Sequence, residues 1–478
     1  MLASELLGKK WLEEHEDINL TGIAYDSRNV LPGNVFVCIK GFETDGHKYA
    51  SAAVKNGAVL VVAEDMVDVD VPVWYVENSR TEIAEMACKY YDNPSKKFKL
   101  IGVTGTNGKT TITYLIRSII EEAGLRIGVI GTNQNIIGDK VLVTQSTTPT
   151  TPNALELQQL FAEMEQSGAD GVVMEVSSHA LELERVHGCH FDVGVFTNLT
   201  RDHLDFHKTM ENYLAAKAKL FDISAKGVVN FDDEGGKKIA ANAPCDIIKV
   251  GLGDGCDLQA ENIRITARGT DFDVIYKGKK YPVHIVIPGR FSVYNAICAF
   301  GAALQLGIDI PTIIRGLEKA TGVMGRVEVV PTDTDYTVII DYAHTPDGLE
   351  NIISTVQDFA KGDVITVFGC GGDRDNTKRA PMGEIAGRLS DFSIITSDNP
   401  RTEDPQAIVD MVEEGMKKTD GKYTVIVDRR EAIGYALDHA KKDDVIILAG
   451  KGQETYQIIG KEKHDFDERV VVYQHLNK

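Results

Sequence analysis

The sequence predicts an α/β protein of three domains: a small N-terminal α/β domain over residues 1–97, a central P-loop-type parallel-sheet ATPase domain over 98–325, and a C-terminal Rossmann-like α/β domain over 326–478. Three observations predict it. A chain of 478 residues exceeds what one hydrophobic core organises. Apolar strand-length runs alternate with helix-length segments, which implies crossover units and mainly parallel sheets covered by helices. One of those runs enters a Gly-rich turn, "TGTNGKTT", that opens a helix.

In the first block, "NVFVCIKG" and "AVLVVAED" read as short buried strands with "HKYASAAVKNGA" as a helix between them. Asn93-Pro94-Ser95 breaks structure before a basic linker. In the second block the strands are "KLIGVTG", "RIGVIGT", "DGVVMEVSS", "DVGVFTNL" and "GVVNFD", with helices at Thr110–Glu122 and Asn153–Gln166. A strand-rich stretch follows at "DLQAENIRITARGTDFDVIYKGKKYPVHIVIPG", and "SVYNAICAFGAALQLG" has the Ala-rich pattern of a buried helix. The third block repeats the alternation in "YTVIIDYAHT", "DVITVFGCGGDRD", "DFSIITSDNPR", "YTVIVDR" and "DVIILAGKGQE". Four of these five strands run straight into a turn bearing Gly or charged residues. Strand carboxyl ends line the ligand crevice of open α/β sheets, so these turns should converge.

Composition narrows the function classes. A net charge of −20 argues against a nucleic-acid backbone as partner, but not against small anions held by local dipoles. No run approaches a membrane span, and the acids in "MLASELLGKKWLEEHEDINL" are wrong for a signal peptide. Seven scattered cysteines without a CxxC pair suit reduced thiols, so the expected compartment is the cytoplasm.

The turn departs from the usual Walker A spacing, with Val103 where the first glycine would stand. Its chemistry is nevertheless complete. Gly105 and Gly108 permit a close wrap, and the N–H groups of Thr106 and Asn107 can face phosphate. Lys109 can reach the outer phosphates, and the hydroxyl of Thr110 or Thr111 can ligate Mg²⁺. Apolar residues at 112, 115, 116, 119 and 120 give the following helix a sheet-packing face. Glu175 interrupts an apolar strand, a costly place for a carboxylate unless it is paired or metal-bound. The next strand ends in "TNLTRDHLDFH", which brings Asn198, Asp202 and His203 to the same sheet edge, His203 being either structural or a ligand. Lys217 in "YLAAKAKLF" would be repelled by a metal, and on its own it reads as a solvated helix lysine.

Together with "MEVSSHAL", "GRFSVYNA", "DYAHTPDGL", "GCGGDRD", "SDNPR" and "AGKGQE", these motifs resemble the Mur ligases, of the MurE type, in order along essentially the whole chain. The resemblance implies an ATP-dependent ligase that adds the third stem-peptide residue to UDP-N-acetylmuramoyl-L-alanyl-D-glutamate in peptidoglycan synthesis, and a monomer is expected. It implies that Lys217 is carbamylated by CO₂, which turns a cation into an anion able to ligate a second Mg²⁺ beside Glu175 and His203. It implies ATP contacts at Asn295, Arg326, Asp341 and His344, and UDP-dipeptide contacts at Ser27, Thr150, Thr151, Ser177 and Arg185. Read alone, Thr150-Thr151-Pro152-Asn153 is a helix entry with a capping hydroxyl. Leu183 stands where many relatives have a polar residue, often Gln.

For the incoming amino acid, Asp398 and Asn399 can receive an ammonium, and Arg401 beyond Pro400 offers a fork to a carboxylate. The resemblance adds Arg374, Gly450 and Glu454. This mixture suits meso-diaminopimelate, which carries both charges at each end. L-Lysine lacks the distal carboxylate and would set its ammonium against Arg401. A lysine-adding ligase remains the alternative within the class. Outside it stand a phosphotransferase or mechanical NTPase on the same loop, and a non-enzymatic nucleotide-gated interaction module. The bland reading of "DNPRTEDP" is a turn rich in Asp and Pro.

Overall fold

The structure, a computed structural model, describes residues 1–41, 44–144, 150–266 and 269–477. The first three residues of "TTPTTPN" fall outside them. Two compact units are formed, Met1–Asp257 with Cys298–Ile313, and Leu258–Ile297 with Ile314–Lys478.

The first unit begins with a four-stranded parallel sheet, β1 (Gly22–Ala24), β2 (Asn34–Val37), β3 (Leu60–Ala63) and β4 (Val73–Tyr75), in sequential order. The predicted strands are β2 and β3, with the helix Ala50–Lys55 between them. Trp11, Val35, Val37, Leu60, Val62, Ile83 and Met86 form its core. The larger sheet of this unit comprises β5 (Lys99–Thr104), β6 (Ile127–Ile130), β7 (Asn135–Ile137), β8 (Lys140–Leu142), β9 (Gly171–Glu175), β10 (Phe191–Phe196), β11 (Ser224–Asn230) and β12 (Asp246–Gly251). Their order is β12-β11-β10-β5-β9-β6-β7-β8. From β12 to β6 the pairing is parallel, and β7 and β8 extend the edge as an antiparallel ribbon.

β5 therefore lies at the centre between β9 and β10, with Val103 opposite Glu175 and Thr104 opposite Phe196. This register brings the turn after β5, the carboxylate on β9 and the segment after β10 to one edge. The helix Lys109–Glu122 buries Ile112, Leu115, Ile116, Ile119 and Ile120, the face its apolar spacing predicts. Each such burial is worth about 1.5–3 kcal/mol.

The second unit opens with an antiparallel meander, β13 (Leu258–Thr266), β14 (Gly269–Tyr276) and β15 (Lys279–Ile285). Its Ile265 packs against the core of the C-terminal sheet, together with residues such as Leu349, Phe368 and Ile447. That sheet comprises β16 (Glu328–Val330), β17 (Thr337–Asp341), β18 (Val364–Phe368), β19 (Phe392–Ile395), β20 (Tyr423–Val425) and β21 (Val445–Ala449), in the order β16-β17-β21-β18-β19-β20. All neighbours except β16 and β17 run parallel. The turns after β17, β18, β19 and β21 consequently leave from the same edge. A hairpin, β22 (Tyr456–Ile459) and β23 (Glu462–Asp465), follows β21.

No helix among the described residues is long and apolar enough to cross a membrane. All seven cysteines are free thiols.

Candidate functional site

In the first unit, β5 enters the turn through Gly105, whose φ is +144°. A Cβ there would lie 1.9 Å from Thr197 Oγ1, so the position excludes a side chain. The turn is pinned from the end of β10. Thr106 N donates to Asn198 O (2.9 Å), Asn107 N to Asn198 Oδ1 (2.9 Å), and Thr197 Oγ1 to Asn107 O (2.6 Å). Gly108 precedes the first helical residue at φ +87° and supplies no side-chain cap, so the helix start presents its own N–H groups and positive dipole end. Lys109 Nζ donates to Gly105 O (3.0 Å) and Thr106 O (2.9 Å).

Thr110 Oγ1 donates to Glu175 Oε1 at 2.8 Å, whereas Thr111 is half-buried on the next helical position. Glu175 is 1% exposed and also accepts from Thr132 N (2.9 Å) and Thr132 Oγ1 (3.1 Å). A buried carboxylate and a hydroxyl beside a phosphate-type turn form a hard oxygen donor set, which fits Mg²⁺.

Lys217, on the helix Met210–Asp222, is 1% exposed and donates to Gly105 O at 2.8 Å. It is not the solvated lysine that its helical setting suggests. Two ammonium groups, Lys109 and Lys217, thus share one carbonyl. Burial first, and then the Lys109 charge, hold Lys217 well below the usual lysine range, opposed only by Asp202. Its Nζ lies 4.4 Å above the Tyr213 ring, whose hydroxyl is 3.2 Å from Thr106 Oγ1. Burial raises the Tyr213 phenol to about 12.

The His203 ring stands edge-on to Tyr213 and His179, at 6.0 and 4.8 Å, with φ +51° and Asp202 Oδ2 at 3.4 Å. The Glu175 carboxylate and Lys217 are thus each bonded directly to the loop, and His203 approaches it through the Tyr213 ring. The sequence reading missed Thr132, Thr197 and Tyr213, and also the histidines around His203. His207 is buried with Nε2 2.9 Å from Ser178 Oγ, and His179 packs on Phe206 at 4.3 Å. The spacing of His203 and His207 within "HLDFH" was the available signal.

Thr150 (φ +71°) has its hydroxyl 2.9 Å from that of Thr132. Thr151 is fully buried, donates to Glu175 O (2.9 Å) and accepts from Ser177 N (3.1 Å). A helix does begin here, but the capping hydroxyl expected of this entry is absent: Asn153 is the N-cap residue without a side-chain cap, and Thr151 is committed to β9 instead. Ser177 Oγ accepts from Ala180 N at 3.1 Å, and Arg185 Nη1 donates to Thr151 O at 3.1 Å. Ser27 is half-buried in the turn Ser27–Asn29, where its carbonyl accepts from Asn56 Nδ2 at 2.8 Å.

In the second unit, Asn295 is buried on the helix Arg290–Gln305. The Arg326 guanidinium lies 5.0 Å over the Tyr342 ring, with a buried Nε that has no hydrogen-bond partner. The Asp341 carboxylate is spent on Val327 N and Ala343 N, each at 2.8 Å. His344 Nδ1 donates to Tyr342 O at 2.8 Å, and burial lowers the affinity of its ring for a proton.

The turns after β18, β19 and β21 do converge. Asn399 Nδ2 donates to Glu454 Oε2 (2.8 Å), and the buried Lys451 donates to Asn399 Oδ1 (3.1 Å) and Glu454 Oε2 (3.2 Å). Asp398 Oδ1 accepts from Asn399 N at 2.7 Å, which leaves its buried Oδ2 unpartnered. Gly450 (φ +119°) makes room for that oxygen, since a Cβ would lie 2.8 Å from it. Pro400 is buried ahead of Arg401. Arg401 is half-buried at φ +52° and donates from Nη1 to Gly372 O (2.8 Å). Its backbone is held on both sides by the β22–β23 hairpin, Arg401 N to Ile458 O (3.1 Å) and Gly460 N to Arg401 O (2.7 Å). Arg374 is exposed, and a Cβ placed on Gly371 would lie 3.0 Å from Arg401 Nη1 and 3.9 Å from Arg374 Cγ, so both arginines flank that glycine. The sequence reading missed Arg379, which is 1% exposed and grips Glu403 with both terminal nitrogens at 2.9 Å, tying the loop after β18 to the turn after β19.

Three family models match in order: "Mur ligase family, catalytic domain" over residues 19–97, "Mur ligase middle domain" over 103–303, and "Mur ligase, glutamate ligase domain" over 325–452. The chain is 48% identical to UDP-N-acetylmuramoyl-L-alanyl-D-glutamate--2,6-diaminopimelate ligase 1 of Clostridium acetobutylicum, over 97% of this chain and 96% of that one. It is 49% identical to the corresponding ligase of Clostridium botulinum, over 94% of each chain. A solved structure of a UDP-N-acetylmuramoyl-L-alanyl-D-glutamate--2,6-diaminopimelate ligase superposes with a TM-score of 0.74 at 34% identity, covering 96% of this chain and 95% of that one. The chain belongs to the Mur ligase family.

Proposed function

We propose that this protein is an ATP-dependent amide ligase that joins meso-2,6-diaminopimelate to the D-glutamate γ-carboxylate of UDP-N-acetylmuramoyl-L-alanyl-D-glutamate, in the cytoplasm, during peptidoglycan precursor synthesis. The observation that carries the choice of amino acid is the presence, on turns that leave one edge of the C-terminal sheet, of an unspent buried acceptor, Asp398 Oδ2, and of the Arg401 and Arg374 side chains flanking Gly371. An ammonium and a carboxylate on one substrate answer both. The ligase names printed for the relatives support the same reading.

The chemistry has two steps. The γ-carboxylate attacks the γ-phosphorus of ATP, releasing ADP and leaving an acyl phosphate. The amine of the amino acid then attacks the acyl carbon, loses a proton, and inorganic phosphate leaves. Lys109 and the N–H groups of the turn stabilise charge on the phosphoryl oxygens. Thr110 and Glu175 would hold Mg²⁺, which when bound neutralises further phosphate charge. Water must be kept from the acyl phosphate, because its hydrolysis would waste ATP.

Lys217 is suited to carbamylation because burial favours its neutral amine, the form that adds to CO₂ and releases a proton. The carbamate would bring an anion beside Glu175 and His203. Nuclear magnetic resonance after incubation with ¹³C-bicarbonate should show a carbamate signal that Lys217→Met lacks.

The deciding experiment is a mass-spectrometric ligation assay with UDP-muramoyl-dipeptide, ATP, Mg²⁺ and a panel of diamino acids. Product should form with meso-diaminopimelate at a kcat/KM at least about tenfold above that with L-lysine, the value of one charge-assisted contact. Equal use of L-lysine would overturn the choice of amino acid, and ATP turnover without the dipeptide would overturn the ligase reading.

A further inference from the structure

Lys451 follows Gly450 in the turn after β21 and is fully buried. Taking an ammonium out of water is costly, so its partners matter. Its Nζ donates to Asn399 Oδ1 (3.1 Å) and to Glu454 Oε2 (3.2 Å), with the Tyr456 and Phe466 rings at 5.9 and 6.0 Å. A second buried cation, Arg429, is already paired, its Nε donating to Glu468 Oε1 at 2.8 Å. Burial pushes the Glu468 carboxyl up, against the pull of Arg429 first and of Lys451 after it. Lys451 is thus the cation bonded to the residues that the turns after β19 and β21 bring together.

These bonds decide which acceptors stay open. Asn399 Oδ1 also accepts from Ile458 N at 2.9 Å. Two donors meeting one atom fix it as the amide oxygen and fill both of its lone pairs. The amide nitrogen is committed as well, Nδ2 donating to Glu454 Oε2 at 2.8 Å. Asn399, expected from the sequence to receive an ammonium, therefore has its oxygen spent. Glu454 takes the Lys451 and Asn399 bonds on one oxygen, Oε2, which keeps Oε1 out of both. Asp398 Oδ2 is buried without a partner, beside a glycine whose Cβ would lie 2.8 Å from it.

We propose that Lys451 is a positioning residue for the incoming amino acid: by spending the Asn399 oxygen and holding Glu454 through Oε2, it leaves Glu454 Oε1 and Asp398 Oδ2 to receive the substrate's distal ammonium. Glu454 then divides its two oxygens between a cation of the protein and a cation of the substrate. Arg401, two residues beyond Asn399, takes the distal carboxylate. Lys451 itself touches no substrate, and its effect falls on the ammonium alone. This assignment rests on the proposed function above.

The test compares ligation of meso-diaminopimelate with that of L-2-aminopimelate, which keeps the reacting amine and the distal carboxylate but lacks the distal ammonium. Wild-type enzyme should prefer meso-diaminopimelate by about tenfold or more in kcat/KM, the value of one charge-assisted contact. Lys451→Met should erase most of that preference by raising the KM for meso-diaminopimelate about tenfold, with the KM for 2-aminopimelate and for ATP little changed. Lys451→Gln, which keeps a donor without the charge, should lie between the two and carries the same test should the methionine variant not fold. Equal losses on both amino acids would make Lys451 a merely structural residue and overturn the proposal. So would no loss on either, or a wild-type enzyme indifferent to the distal ammonium, while the ligase reading would stand. Failure of the wild type to ligate meso-diaminopimelate at all would overturn that reading as well.

Discussion

An ammonium at 1% exposure beside a second ammonium is costly to keep charged, and burial shifts Lys217 towards its neutral amine. Because its folded-state proton affinity lies below the ordinary lysine value, the unfolded chain binds more protons between those two values. Stability therefore rises with pH through that window, and the cost is fully present below it. In CO₂-free buffer, Lys217→Met should raise stability at neutral pH by about 1–3 kcal/mol, the scale of a buried polar group. It should also flatten the increase of Tm towards alkaline pH and reduce ligation at least about a hundredfold. Scanning calorimetry across pH and the ligation assay check both halves. A second residue, Arg401, should separate binding from chemistry: Arg401→Ala should raise the KM for diaminopimelate roughly ten- to a hundredfold, the worth of charge-assisted hydrogen bonds, with the KM for ATP little changed. At this scale the sequence discloses groups whose type clashes with their surroundings. Glu175 stands out because it breaks an apolar run. Thr132, Thr197 and Tyr213 do not, because they matter through neighbours brought close by strand order, which a hydroxyl or a ring does not advertise. Lys217 was legible only through the family resemblance, since its own helix reads as solvated.

The turn after β5 is governed by steric room. Gly105→Ala would place its Cβ against Thr197 Oγ1 and force an L-residue to φ +144°. We expect ATP affinity to fall at least about tenfold, with a loss of a few kcal/mol in stability, read by nucleotide titration and denaturant melts. Ile116, fully buried on the helix that follows, should cost about 2–5 kcal/mol when replaced by Ala and affect KM for no substrate selectively. Strands and this helix were legible because alternation and the i, i+3, i+4 spacing are local. The antiparallel ribbon β7–β8 was not, because three-residue strands carry too little pattern. The meander β13–β15 was visible as strand-rich, but its packing through Ile265 onto the C-terminal core depends on distant residues. The convergence of the turns after β18, β19 and β21 followed from parallel topology alone. Arg379, which locks two of those turns together, opens the helix Arg379–Leu389, and nothing local marks it apart from an ordinary surface arginine.

Across the whole molecule, a division into two compact units predicts that calorimetric unfolding will depart from a single two-state transition. The chain also shows how discrimination can be set against robustness. Arg401 occupies a left-handed backbone conformation, and the β22–β23 hairpin clamps it there from both sides. Glycine would relieve roughly 1 kcal/mol of that conformational penalty. A lineage selected for thermal endurance alone would drift towards the smaller residue and, on the reading above, lose its fastidiousness about the building block it admits. On that reading, the guanidinium at this strained position exchanges some toughness for fidelity.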